Sequence, residues 1–92
     1  MMEIKTTSKF RKDLKQAKRK GLNIALLQKV IDDLATGKKL DERHHDHALT
    51  GKWSSFRECH IQPDWLLIYN ISGDTLILTL VRTGSHSDLF KK

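Results

Sequence analysis

Three strand-like runs decide the architecture: Trp53 to Ile61, Trp65 to Ile71 and Thr75 to Thr83, separated by Gln62-Pro63-Asp64 and by Ser72-Gly73-Asp74. Turns this short join neighbouring antiparallel strands, so the runs predict a meander. In the second run Trp65-Leu66-Leu67-Ile68-Tyr69 is apolar on both faces, as a central strand requires. The third alternates, with Leu76, Leu78 and Leu80 on one face and Thr75 and Thr79 opposite. Glu3 to Thr6 offers an edge strand, which makes four.

Upstream the period changes from two to about 3.6. Phe10, Leu14 and Ala17 recur at i, i+4 and i+7 behind Ser8, the N-cap candidate. Gly21 ends that pattern. Asn23 can cap a second helix striped by Leu27, Val30, Ile31 and Leu34, and Gly37 stops it. Lys38 to Lys52 is polar and histidine-rich without periodicity, and reads as a loop holding at most one helical turn. The expected fold is α+β: two N-terminal helices packed on one face of a twisted, four-stranded, mainly antiparallel sheet.

The 92 residues fit a single domain, 1–92, and 25 of them are Leu, Ile, Val or Phe, above the roughly one-fifth level below which charged chains stay disordered. Seventeen Lys and Arg against eleven Asp and Glu give a formal charge of +6, which favours a polyanion or an acidic partner. Eight of those cations fall in the first twenty positions, and Lys9, Arg11, Lys12, Lys15 and Arg19 make the outer face of the first helix a cationic ridge. Cys59 is the only cysteine. It can neither pair within the chain nor form a thiolate cluster for zinc, which fits a reducing compartment, the cytoplasm. The longest apolar run, Trp65 to Tyr69, is far short of the ~20 residues that span a bilayer, and no export signal opens the chain, so no membrane partner is expected.

Histidine carries most of the candidate chemistry. His44-His45-Asp46-His47 invites a metal reading, but adjacent residues do not readily all face one ion and no HExxH or CxxC spacing supports it, so no metal is assigned. His60 ends the first strand of the meander, four residues before Asp64, with Pro63 between them. A carboxylate there can orient an imidazole, the arrangement a general acid or base needs; the plainer alternative is a surface turn capped by Asp64. Arg82 leads into Thr83-Gly84-Ser85-His86, which would bring a guanidinium and an imidazole to one sheet edge. Phosphate suits that pair, with Lys52 as a further phosphate contact. The plainer alternative is an Arg82 that closes its strand with an ion pair, beside Trp65 and Phe90 as ordinary core aromatics.

Three blocks then stand out: Asp46-His47-Ala48-Leu49-x-Gly51-x-Trp53, Phe56-Arg57-Glu58-x-His60-Ile61-x-Pro63-Asp64-Trp65-Leu66-Leu67-Ile68-Tyr69, and Arg82-Thr83-Gly84-Ser85-His86-Ser87-x-Leu89-Phe90. In order and spacing they resemble the YafQ family, bacterial toxins of the RelE superfamily. The helical half resembles that family in pattern only. The resemblance implies a ribosome-dependent endoribonuclease that cleaves mRNA on the 70S ribosome, needs no cofactor and is held inactive by a cognate antitoxin. It puts functional histidines at His47, His60 and His86, a carboxylate at Asp64 and base-contacting aromatics at Trp65 and Phe90. His44 and His45 match no motif position.

These residue types can supply the chemistry. Cleavage without metal begins with the 2′-OH attacking the adjacent phosphorus, and needs a base, an acid for the departing 5′-oxygen and positive charge over the phosphorane. The expected acid is His86 and the base His47 or His60, with Asp64 orienting and Arg82 on the phosphate. Two rivals are a binding module of the same fold without catalysis, and a metal-dependent hydrolase built on the HHDH loop.

Overall fold

In the computed structural model, which describes residues 1–74 and 76–90, the chain runs β1 (Glu3–Thr6), α1 (Ser8–Arg19), α2 (Ile24–Ala35), a 3-10 turn (Glu42–His44), β2 (His47–Ala48), a second 3-10 turn (Gly51–Trp53), β3 (Arg57–Gln62), β4 (Trp65–Ser72), β5 (Ile77–Gly84) and α3 (His86–Leu89). The sheet order is β1-β5-β4-β3-β2. β2 to β5 pair antiparallel, while β1 lies parallel to β5, with Glu3 opposite Ile77. As expected, β4 is central.

Both helices end as their glycines require. Gly21 and Gly37 take φ near +77° and +78°, a region costly for residues with a Cβ. In each case two reversed hydrogen bonds close the last turn: Gly21 N–H to the Lys18 carbonyl with Leu22 N–H to that of Ala17, and Gly37 N–H to Leu34 with Lys38 N–H to Asp33. Asn23 caps α2 through Ala25 N–H at 3.1 Å. At α1 the cap is Thr7, whose hydroxyl accepts from Phe10 N–H at 3.0 Å, and the expected cap Ser8 is the first helical residue.

The α-helical stripes, Phe10 and Ala17 with Leu27, Val30, Ile31 and Leu34, bury against Cys59, Ile61, Trp65, Leu67, Tyr69, Leu78 and Leu80. The core leaves Cys59 wholly inaccessible, and burial pushes its thiol up to about 12. The opposite sheet face carries a smaller cluster of Leu66, Ile68 and Leu89, flanked by Leu49, Trp53, Phe56, Val81 and Phe90. β4 is thus apolar on both faces because both are covered.

Four expectations are corrected. The sheet has five strands, since His47–Ala48 adds a two-residue edge to β3 from within the presumed loop. The first meander run is shorter than expected: Gly51–Trp53 is a 3-10 turn and pairing starts at Arg57. The third run pairs over Ile77–Gly84. Leu76, expected inward with Leu78 and Leu80, sits at φ +52° and is 51% exposed, because it belongs to the turn before β5. Thr75 lies outside the described residues.

Candidate active site

Alternation along β3 creates the site. Cys59 and Ile61 point into the helix-side core, so Glu58 and His60 project from the other face. β2 sets His47 directly across from Glu58. Glu58 Oε1 lies 3.4 Å from His60 Nε2 and 3.7 Å from His47 Nε2, although Glu58 is only 5% exposed. A carboxylate so far from water needs such partners.

The third imidazole arrives by capping chemistry. Ser85 and Asp88 form a reciprocal capping box that starts α3 and presents His86 as its first residue. Asp64, in the β3–β4 turn, accepts from His86 backbone N–H at 3.0 Å and contacts the ring Nδ1 at 2.8 Å. Those two hydrogen bonds hold the Asp64 carboxyl below the ordinary carboxylate range. The His60 and His86 rings meet edge to face with centroids 5.6 Å apart.

Asp64 therefore serves His86, not His60 as the four-residue spacing suggested. The carboxylate beside His60 is Glu58, which the sequence reading left out. The i, i+2 spacing of Glu58 and His60 on a strand was the available signal.

Two of the expected RNA contacts are corrected. Trp65 is 2% exposed and its indole N–H donates to Thr83 Oγ1 at 2.9 Å, so it presents no face to a base. Burying an aromatic contributes about as much as one base stack, ~1.5–3 against ~1–3 kcal/mol, so extruding it would gain nothing. Arg82 is held by Asp13 of α1, Nε at 2.7 Å and Nη2 at 3.0 Å, and that bidentate pair raises its pKa. It locks α1 onto β5 in place of meeting a phosphate. Phe90 is half-buried, edge-on to Trp53 at 5.8 Å, whereas Lys52 is exposed.

Most of the HHDH run has structural work. His44 Nδ1 lies 2.7 Å from the His60 carbonyl oxygen. Asp46 accepts from Tyr69 Oη and Arg57 Nε, and burial followed by the Asp46 bond raises the Tyr69 pKa. His47 Nδ1 contacts the His45 carbonyl, which leaves Nε2 toward Glu58. Among the described residues the cluster able to hold a cation is instead Glu58, His60 and His86, with ligand atoms within 4.8 Å of one another. Two imidazoles and a carboxylate form a donor set that zinc or copper accepts.

Residues 2–91 match the family model described as the bacterial toxin of type II toxin-antitoxin system, YafQ. The chain belongs to the YafQ toxin family. It is 32% identical to the mRNA interferase toxin YafQ of Escherichia coli over 89 residues, 96% of this chain and 95% of that protein. A metal-bound toxin from Helicobacter pylori is similar at 48% identity and a TM-score of 0.92, covering 98% of this chain and 100% of that one. The Escherichia coli DinJ–YafQ toxin-antitoxin complex contains a chain 32% identical with a TM-score of 0.88, covering 97% of each. The resemblance in the three sequence blocks and the α+β class hold. Among the described residues, no helix is long and apolar enough to cross a membrane.

Proposed function

We propose that this chain is a cytoplasmic, ribosome-dependent endoribonuclease that cleaves mRNA by metal-independent acid–base chemistry. The observation that supports it best is the pair of adjacent imidazoles, His60 and His86, beside different carboxylates, Glu58 and Asp64. His60 takes the proton from the 2′-OH as that oxygen attacks phosphorus. His86, oriented through Nδ1 by Asp64, delivers a proton from Nε2 to the departing 5′-oxygen. His60 is preferred over His47 as base because its ring adjoins that of the acid. With Arg82 committed to Asp13, the imidazolium side chains supply the charge over the phosphorane, and Lys52 and Phe90 contact the flanking strand.

The RNA ends test this directly. Cleavage should leave a 2′,3′-cyclic phosphate or the 3′-phosphate derived from it, and should persist in excess chelator. The second reading, a metal-assisted hydrolase, draws on the cation-compatible Glu58–His60–His86 set; a metal bound there would supply Lewis-acid activation of water. Chelator-sensitive cleavage leaving 3′-hydroxyl ends would replace the first reading with the second.

The same proposal includes a cognate antitoxin whose acidic segment lies along the α1 ridge. Lys9, Arg11, Lys12, Lys15 and Arg19 are all exposed, and a disordered acidic segment can wrap such a surface. Exposed charge pairs contribute ~0.2–1 kcal/mol each, so Lys9→Glu, Lys12→Glu and Lys15→Glu together should weaken the complex by about tenfold in low salt. Unchanged affinity in a titration calorimeter would assign the ridge to ribosomal RNA alone.

A further inference from the structure

A second concavity opens beside the imidazole pair, and the chemistry above does not use it. It is a cleft of about 570 Å³ between α2, the Glu42–His44 turn and β3. Its apolar floor includes Leu26, 38% exposed on α2, and Pro63. His45 and His60 form one wall, with ring centroids 5.4 Å apart. Lys29 and Arg43 stand on the rim, and no carboxylate lines the space. Lys29 is paired with Asp33 one turn away at 3.1 Å, and the Arg43 side chain has no ion pair among the described residues.

Three observations bear on the occupant. The ring of His60 meets both His86 and His45 edge to face, so contiguous imidazoles connect the proposed scissile position to the cleft. His45 is exposed and held at φ +47°, an uncommon conformation for a residue with a Cβ. That conformation caps the Glu42–His44 turn and leaves the ring among the residues lining the cleft. The lining combines apolar surface, a ring available for stacking, the Gln62 amide with both donor and acceptor, and cations without acids. That is the chemistry of a nucleobase with an attached phosphate.

We propose that the cleft seats the nucleotide adjoining the scissile phosphate, with His45 stacking on its base, Gln62 meeting the base edge and Arg43 holding the next phosphate. The proposal rests on the ribonuclease reading and makes His45, Gln62 and Arg43 determinants of which sequence is cut. His45 lies outside the three motif blocks.

Binding is tested without turnover, on the full chain carrying His86→Ala, by NMR titration with each of the four ribonucleoside 3′-monophosphates and with inorganic phosphate. Nucleotides, but not phosphate alone, should shift Leu26, His45 and Gln62, with one base preferred. His45→Asn tolerates the positive φ but removes the ring, and should weaken that binding by about tenfold, the value of one stacked base. Leu26→Glu, on an exposed helix position, should abolish it by facing the phosphate with a carboxylate. In a separate arm the active chain and its His45→Asn and Arg43→Ala variants cut a message in programmed ribosomes, and the variants should spread their cuts over more sequences. Equal shifts with phosphate, or no shift of these residues with any of the four nucleotides, would overturn the assignment. An unchanged cut pattern with active variants overturns it as well, while nucleotide shifts without cleavage of any message overturn the ribonuclease reading instead.

Discussion

Purified protein should cut a message in a programmed ribosome with an empty A site several orders of magnitude faster than the same RNA free in solution. The site is open: the His86 and Asp64 side chains are 55% and 70% exposed. Trp65 is buried and Arg82 is engaged by Asp13, so neither can align the strand. In-line attack needs the 2′-oxygen, phosphorus and 5′-oxygen held in register, and alignment of that kind contributes up to ~7–11 kcal/mol. A one-nucleotide cleft supplies only about a fifth of that, since a single stacked base is worth ~1–3 kcal/mol. A ribosome holding its message in a fixed path can provide the remainder. Single-turnover rates on free and ribosome-held message, with identical toxin, measure the difference. Equal rates would make the domain a general ribonuclease and remove ribosome dependence from its mechanism.

His86→Ala should lower ribosome-dependent cleavage by ~10²–10⁴ and relieve growth arrest in a bacterial host, because it removes the proposed proton donor to the 5′-oxygen. Folding should be nearly untouched. His86 packs little, and exposed substitutions away from special features typically change stability by less than ~0.5 kcal/mol. The Asp64 bond to His86 backbone N–H does not depend on the ring and remains available to hold the start of α3. Thermal unfolding of the two proteins should therefore superimpose while their cleavage rates diverge. A soluble variant that still arrests growth and cuts at the parental rate would falsify the role of His86 as acid.

Asp64→Asn separates orientation from proton donation. It retains a group able to accept from His86 N–H but withdraws the negative charge facing Nδ1, so it should slow cleavage less than loss of the imidazole does. Equal losses would mean that the carboxylate itself takes part in the proton transfer.

Local signals in the chain were enough for most of the architecture. The 3.6-residue stripes of α1 and α2, the glycines at Gly21 and Gly37 and the short turns at Gln62-Pro63-Asp64 and Ser72-Gly73-Asp74 act over a few residues, so their outcome can be read from a few residues. The unbroken apolar run from Trp65 identified the central strand for the same reason. β2 escaped because a two-residue strand has no period; only pairing with Arg57 and Glu58 makes it one. The cap shifted from Ser8 to Thr7 because adjacent hydroxyl residues offer the same chemistry, and Thr7 is also held by its hydroxyl bond to the Val81 carbonyl.

The amino-acid sequence by itself determined the fold class, the cationic face of α1 and the set of imidazoles at His47, His60 and His86. Tertiary structure alone decided their partners. Asp64 went to His86, 22 residues away, and Glu58 to His60 and His47. Arg82 was taken by Asp13, 69 residues away. Strand parity put Trp65 on the helix-covered face while His60, pairing with Leu66, emerged on the opposite one. The physical reason is common to all of these: side-chain chemistry is local, but which charge neutralises which, and which aromatic loses its water, depends on the packing of elements remote in the chain.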